Sequence, residues 1–389
     1  VSPESLSSAV ALAALVAVAA FSARRLVMIA AALAPRRRVA RLADGELPGV
    51  TLIVPARNEA ARCDALFAAL TRLEYPHGRL HYILVSDGST DGTGARFRRF
   101  AASTHRVQVV ELAENVGKAS ALNAALALAT TELVVVSDAD LRPEPSCIRL
   151  LASALADPDV GAAAALLRPE NGGAGVVARY SALDYLVSQG LTSAAKDRLA
   201  LDPSTLGAAA FRRTALEEIG GFRTAGGEDV DAALALGRSG WRTRFVPEAR
   251  ADMTVAATVP DYWRQHIRWA RGTFDAGRRR RWSRRQSVAR HAERWAVVAG
   301  YSDRVAFLAL AVLALFGRAP LWAPAAYLAI AGAGVAAAVL RNGQLRDLPR
   351  YAFAAALMFP VDVAASVAAL ATHTLRRRRT WHSPRDATA

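Results

Sequence analysis

Asp138-Ala139-Asp140 directly follows the apolar run Leu133-Val134-Val135-Val136-Ser137. Two carboxylates one residue apart repel each other unless a cation sits between them. A Mg²⁺ or Mn²⁺ ion bridged to a diphosphate resolves that repulsion, because such an ion takes one or two carboxylates and completes its shell with phosphate oxygens and water. The plain alternative is an Asp-x-Asp in an ordinary turn. Lys118, behind Asn115-Val116-Gly117, opens a helical run. A lysine there opposes the helix dipole unless an anion such as a diphosphate is present; otherwise it is a solvated side chain. Glu228-Asp229, after Gly227, opens another helical run. The pair reads as a helix cap or, functionally, as a general base for a hydroxyl. Gln265, Arg268 and Trp269 fall at i, i+3 and i+4 and so share a helix face. A guanidinium pairs bidentately with phosphate, an indole stacks on a sugar ring and an amide donates hydrogen bonds. An amphipathic helix at a membrane interface would use the same residue types. Ser86-Asp87-Gly88-Ser89 closes another apolar run. Asp87 could accept from the imide of a uracil, or the segment is a loop with Thr90 or Asp91 as a helix cap.

These groups need a scaffold that brings strand ends together. Apolar runs at 50–55, 81–85, 107–112 and 133–137 predict strands, and 59–71 and 118–129 carry helical spacing. The first two strands are about 30 residues apart, the length of one βαβ unit. Alternating strands and helices imply a parallel sheet with right-handed crossovers, which binds ligands at the C-terminal ends of its strands. No Gly-x-Gly-x-x-Gly follows the first strand, which disfavours a nicotinamide-dependent dehydrogenase.

The apolar excess (53% hydrophobic among 389 residues) is concentrated. Residues 5–23 carry no charge and suffice for one membrane-spanning helix; further apolar stretches lie at 295–317, 319–340 and 351–375. The first stretch reads as an anchor, not a cleaved leader, because Glu4 precedes it and Arg24, Arg25 and Arg36 to Arg38 follow it. That charge bias predicts a cytosolic domain after it, in the inner (plasma) membrane. Three more crossings would put Arg376 to Arg379 on the opposite side, against the same bias, unless 351–375, interrupted by Pro360 and Asp362, does not fully cross. Asp303 and Arg304 are expected to pair with each other, and Asp362 to line an acceptor path or hold a buried hydrogen bond. The net charge is +15, but the arginines cluster beside apolar stretches, which points to anionic membrane lipids and not to nucleic acid. Two cysteines, Cys63 and Cys147, suggest neither a disulfide framework nor a zinc site.

In order along the chain, Pro55-Ala56-Arg57-Asn58-Glu59, Ser86-Asp87-Gly88-Ser89, Asn115-x-Gly117-Lys118, Asp138-x-Asp140, Gly207-x-x-x-Phe211-Arg212, Gly220-Gly221-Phe222, Glu228-Asp229 and Gln265-x-x-Arg268-Trp269 resemble family 2 glycosyltransferases. The similarity is greatest to the membrane-bound branch with cellulose synthase, hyaluronan synthase, poly-N-acetylglucosamine synthase and ceramide glucosyltransferase. It covers about residues 50 to 272. The resemblance implies an α/β, GT-A (Rossmann-like, mainly parallel) domain, a nucleotide-sugar donor, usually a UDP-sugar, Mg²⁺ or Mn²⁺, and inversion at the anomeric carbon. It makes Pro55, Arg57, Glu59, Asp87, Lys118 and Asp138 donor-binding, with Glu59 and Asp87 at the nucleoside and Lys118 and Asp138 near the diphosphate and sugar. Asp140, with Asp138, would hold the metal. Asp229 would be the base with Glu228 beside it, and Gln265, Arg268 and Trp269 would hold diphosphate and acceptor.

There are departures. Ser86-Asp87 stands where the family often has two aspartates. Gly227 stands where it often has Thr, which predicts a more flexible loop. The arginine-rich stretch 278–285 replaces the gating loop of cellulose synthases. The division expected is an anchor at 1–35, the GT-A domain at 36–277, a basic segment at 278–294, about three membrane helices at 295–375 and a basic tail at 376–389. The acceptor is expected to be a membrane lipid, because four spans are few for a polymer channel; processive glycan synthesis is the alternative, and a non-catalytic nucleotide-sugar-binding subunit the alternative of another class.

Overall fold

The computed structural model describes residues 3–35, 38–205, 207–223, 227–278 and 286–374. Arg36, Arg37, most of the stretch 278–285 and the tail arginines 376–379 lie outside them. The strands are β1 (Val50–Ala56), β2 (Leu80–Asp87), β3 (Val107–Leu112), β4 (Leu133–Ser137), β5 (Arg142–Pro143), β6 (Val160–Pro169), β7 (Ala208–Arg212) and β8 (Arg242–Met253). They form one sheet in the order β3-β2-β1-β4-β7-β6-β8-β5. The β3-β2-β1-β4 half is parallel, as is β6 with β8; β7 runs antiparallel to β4 and β6, and β5 to β8. The expected mainly parallel α/β sheet is therefore present.

The helices of the catalytic-sized part are α2 (Cys63–Thr71), α3 (Thr93–Ser103), α4 (Lys118–Leu126), α5 (Cys147–Ala154), α6 (Val176–Tyr185), α7 (Ala194–Leu199), α8 (Arg213–Glu218), α9 (Glu228–Ser239) and α10 (Val259–Arg278). They follow α1 (Pro3–Leu33) and precede α11 (Val288–Ala299), α12 (Ser302–Leu315), α13 (Trp322–Arg341) and α14 (Leu348–Thr374). A π-helical segment, Leu186–Ser193, joins α6 to α7. Alternate residues of β1 serve opposite cores. Leu52 and Val54 pack with Leu66, Leu70 and Phe97 of α2 and α3, whereas Ile53 packs with Ala121 and Leu122 of α4. A strand buried on both faces needs an unbroken apolar run, which is why β1 and β4 stand out in the sequence.

The expected helix at 59–71 begins as a 3₁₀ turn, Ala60–Arg62, ahead of α2. The Glu59 N–H donates to Thr93 Oγ1 (2.9 Å) and the Ala60 N–H to Asp91 Oδ2 (2.8 Å). These bonds tie the turn to the loop after β2 and hold its first residues out of the α-helical ladder.

Among the described residues, three helical segments are long and apolar enough to cross a membrane: Ser7–Leu33, Trp322–Arg341 and Leu345–Thr372. A fourth arises only if α11 and α12, bent by 65°, are taken as one span. Helix α1 continues well past the expected end at residue 23, with Arg24 and Arg25 inside it. It can do so because both arginines are neutralised from far along the chain. Arg24 donates to Glu293 (Nε to Oε2 2.8 Å, Nη2 to Oε1 2.6 Å), and Arg25 donates to Asp303 and to Tyr327 Oη (3.0 Å). Asp303 and Arg304 therefore do not pair with each other: Arg304 binds Asp362 instead. Successive residues of a helix point 100° apart, so each faces a different neighbour. Pro360 does not interrupt α14, which is continuous through it.

Glu293 also accepts from Lys196 Nζ at 3.0 Å, and both side chains are over 90% buried. Glu293→Ala should lower stability by about 3–5 kcal/mol, because it leaves a buried ammonium without a counter-charge. Thermal melting in detergent reads this, and Lys196→Met in the same chain should recover part of the loss.

Candidate active site

The C-terminal end of β4, the start of α4 and the start of α9 meet. Asp138 stands one residue past β4; its N–H donates to Gly207 O (3.0 Å), and its carbonyl accepts from the Leu141 N–H (3.1 Å). Asp140 is thereby held in a tight turn. Lys118 is the first residue of α4, and its Nζ lies 2.6 Å from Asp138 Oδ1 and 2.6 Å from Glu228 Oε1. Glu228 and Asp229 open α9. The Val230 N–H donates to Asp229 Oδ1 (2.7 Å), and Thr205 Oγ1 donates to the Asp229 carbonyl (2.8 Å). A small pocket here has Lys118, Thr205, Glu228 and Asp229 on its polar side and Leu122 and Phe222 on its apolar side.

The electrostatics follow from this crowding. Burial, then the charge of Glu228, push the Asp229 carboxyl up to about 7, although Lys118 pulls the other way. Asp138 is also raised, by burial and by repulsion from Asp140 and Glu228, with Lys118 opposing. Burial would raise Glu228, but the Lys118 ammonium outweighs it and holds Glu228 below the usual glutamate value. Burial would lower Lys118, yet Asp138, Glu228 and Asp229 together keep it well above the usual lysine value. The site thus has one firmly charged lysine, one firmly charged glutamate and an aspartate poised near neutrality.

Gly227 precedes α9 at φ +100°, and a Cβ there would lie 3.0 Å from the backbone of Gly272 in α10. The expected looser loop is, at this residue, a close backbone approach between α9 and α10 that only glycine permits.

Pro55 and Asp87 lie on β1 and β2, and Arg57 and Glu59 just past the end of β1. Pro55 is buried opposite Val85. Glu59 accepts from Arg62 Nη1 (2.6 Å). Asp87 is 3% exposed, and its two oxygens accept from the N–H groups of Val116 (2.8 Å) and Gly117 (3.0 Å). It therefore sets the loop that aims Lys118.

Helix α10 has two working faces. Gln265, Arg268 and Trp269 are half-buried; Trp269 packs against the larger core cluster of the sheet, where Tyr185 meets its ring edge-on at 6.1 Å. Arg268 Nε is buried with no hydrogen-bond partner among the described residues. The adjoining face carries Tyr262, stacked on His266 at 3.8 Å, then Ala270 and Phe274. Tyr262 Oη donates to Asp362 Oδ1 (3.0 Å), and Tyr180 Oη to Asp362 Oδ2 (3.2 Å). His266 Nε2 lies 3.3 Å from Asp184. Asp362, 2% exposed, is a structural node between α6, α10, α12 and α14.

The residues fit the implied cation. Asp138 and Asp140 supply hard oxygen donors of the kind that Mg²⁺ and Mn²⁺ prefer. Among the described residues no group of three or more His, Cys, Asp or Glu side chains could hold an ion without help. Two carboxylates suit an ion that draws its other ligands from a diphosphate and water.

Sequence reasoning missed Tyr185, Thr205, Asp184 and the tyrosine pair on Asp362. His266, inside Gln265-x-x-Arg268-Trp269, was the available signal for that second face.

The mainly parallel α/β sheet with acids gathered at one strand end, beside apolar helices, has the α/β glycosyltransferase fold. The model of the family described as Glycosyltransferase like family 2 matches residues 48–272, and the chain belongs to that family. It is 32% identical over 240 residues to an N-acetylglucosaminyltransferase of Rhizobium meliloti (strain 1021), covering 59% of this chain and 56% of that relative. It is 31% identical over 235 residues to the probable glycosyltransferase YdaM of Bacillus subtilis (strain 168), covering 58% and 56%. The chain spans about half the length of the curated relatives it matches. The solved mannosyltransferase PcManGT from Pyrobaculum calidifontis, in complex with GDP-Man and Mn²⁺, has 27% identity and a TM-score of 0.66, covering 96% of this chain and 99% of that one.

Lys118→Met removes the one ammonium among Asp138, Glu228 and Asp229. Without it, Asp138 and Asp229, already raised, go higher still, and Glu228 loses the charge that held it low; a raised carboxyl contributes stability at low pH that is lost as pH climbs through the folded value. The melting deficit of the variant should therefore grow between about pH 5 and pH 8. Melting curves at both pH values check it; equal deficits would break the assignment.

Proposed function

We propose that the chain transfers a sugar from a nucleotide-sugar to a membrane-associated acceptor, a lipid in first place, by a single inverting displacement that uses Mg²⁺ or Mn²⁺. The observation that carries this reading is the Lys118-centred cluster with Asp229 raised to about 7 beside it. Asp229 takes the proton from the acceptor hydroxyl as its oxygen bonds to the anomeric carbon. The bond from that carbon to the diphosphate oxygen breaks, and the nucleoside diphosphate leaves with the electron pair. A bound divalent ion supplies charge stabilisation to that diphosphate. Lys118 and Arg268 lend fixed positive charge where negative charge develops, and such preorganised electrostatics usually give the largest share of rate enhancement. Gln265 and Trp269 orient the sugar and acceptor. Pro55, Arg57, Glu59 and Asp87 form the nucleoside end.

The relatives named N-acetylglucosaminyltransferase support a UDP-linked N-acetylhexosamine as donor. PcManGT, with GDP-Man and Mn²⁺, supports a divalent cofactor and makes a GDP-sugar the second choice. The charge bias supports a multi-pass inner-membrane protein with residues 36–277 in the cytosol.

Asp229→Asn should lower transfer by about 10²–10⁴-fold, the usual share of a general base, while donor binding persists. In the unsubstituted enzyme the rate should rise as pH passes upward through about 7, because the base works only as the carboxylate. Undiminished transfer by the variant, measured by mass spectrometry of the product, would sink the assignment. A chelator should abolish transfer and Mn²⁺ or Mg²⁺ should restore it; chelator-resistant turnover counts against the metal. The same product analysis separates one added sugar from a ladder of lengths, and the ladder would replace the lipid acceptor with a growing glycan.

A further inference from the structure

We infer that α14, although long and apolar enough to cross a bilayer, lies along the membrane surface, rests its outward face on acyl chains, and has both of its ends on the side of the catalytic domain.

The other apolar helices set the scale of depth. Helix α13 runs alongside α1 in the same direction. Ala323 and Tyr327 cluster with Ala14 and Val18, Gly334 sits opposite Ile29, and Arg341 donates to Ala32 O. Helix α12 runs the other way: Asp303 at its start holds Arg25, and Leu310 packs among Ala14 and Val18. The catalytic-domain end of this bundle is therefore marked by Met28, Ala32, Asp303 and Arg341.

Helix α14 keeps close to that end, and where Phe359 reaches toward the Ala14 and Val18 cluster it does so against Phe307, one turn past Arg304 (ring centroids 5.4 Å apart). At its start, Tyr351, Ala354 and Met358 pack with Met28 and Ala32 of α1 and with Leu183 of α6. At its middle, Asp362 binds Arg304 at the start of α12 and the two tyrosines of α6 and α10. Near its end, Ala369 packs with Ala270 and Phe274 of α10, beside Val298 and Tyr301. From residue 351 to residue 369 a helix advances about 27 Å, nearly the thickness of a hydrocarbon core, yet both of its ends meet elements of the catalytic-domain end, Met28 and Ala32 at one and α10 at the other. A crossing α14 would need α10 to cross beside it. Helix α10 carries Arg264, Arg268, Arg271 and Asp275 and is no candidate span.

The side of α14 turned away from the protein is apolar: Phe353 (59% exposed), Leu357 (53%) and Val367 (39%), with Pro360 and Ala364 between them. Arginines bracket it, Arg341, Arg346 and Arg350 before and Arg376 to Arg379 after, which suits a leaflet with anionic headgroups. The turn between α12 and α13 holds a single charge, Arg318. With α14 in plane, the basic runs flank one face of the membrane, and the conflict created by a fourth crossing disappears. None of this depends on the proposed reaction.

The test uses the full chain in sealed membrane vesicles and an impermeant maleimide, with single substitutions Arg99→Cys on the exposed side of α3 and Ala389→Cys on the tail; the native Cys63 and Cys147 are buried. Labelling of both from the same face is expected, and labelling from opposite faces would overturn the inference. Nitroxides on Leu357→Cys and Val367→Cys give an independent reading by oxygen and nickel-chelate quenching. An in-plane helix puts both at the same depth, whereas a crossing helix separates them by about 15 Å, a result that would also overturn it.

Discussion

Asp138, Asp140, Glu228 and Asp229 crowd the end of a buried sheet, and Lys118 stands among them, in contact with both Asp138 and Glu228. Much of the local structure answers this constraint. The loop carrying Lys118 is pinned by both oxygens of Asp87, Asp138 is anchored to Gly207, and Gly227 lets α9 approach α10 closely enough to bring Glu228 to the ammonium. Burial and the charge of Glu228 leave Asp229 the harder acid to ionise, while Lys118 holds Glu228 charged. One crowded set of charges thus sets two carboxyls of adjacent residues apart.

The second organising feature is the seam between the catalytic domain and the apolar helices. Its acids are buried and matched across distant parts of the chain: Arg24 and Lys196 on Glu293, Arg25 on Asp303, Arg304 on Asp362. Breaking any of them leaves an ion stranded, so the seam tolerates little relative movement. Helix α10 belongs to both sides, with Trp269 toward the sheet and Tyr262 and His266 toward α14.

What the sequence made legible follows from burial. Strands β1 to β4 read clearly because a strand covered on both faces must be apolar throughout, and the acids after β4 could be placed at a sheet end for the same reason. The strands β6 and β7 did not read as strands. Ala162 to Ala164 and Ala208 to Ala210 have no β preference, and they are extended because small side chains let the two strands pair tightly between neighbours. The lysine-centred cluster follows the motif order, but Asp87 braces a loop through backbone amides that no residue pattern marks. Arg24 and Arg25 looked like charges beyond a helix end; Glu293 and Asp303, which let the helix continue, are separated from them by most of the chain. Asp362 was visible as an oddity, and its partners Tyr180, Tyr262 and Arg304 come from three other elements.

The two-faced α10 also links two distant places mechanically. Trp269 rests against the sheet core while Tyr262, two turns earlier, bonds Asp362 of α14. Because one continuous helix carries both contacts, a shift of α14 would be handed on to the indole as a movement of the whole rod.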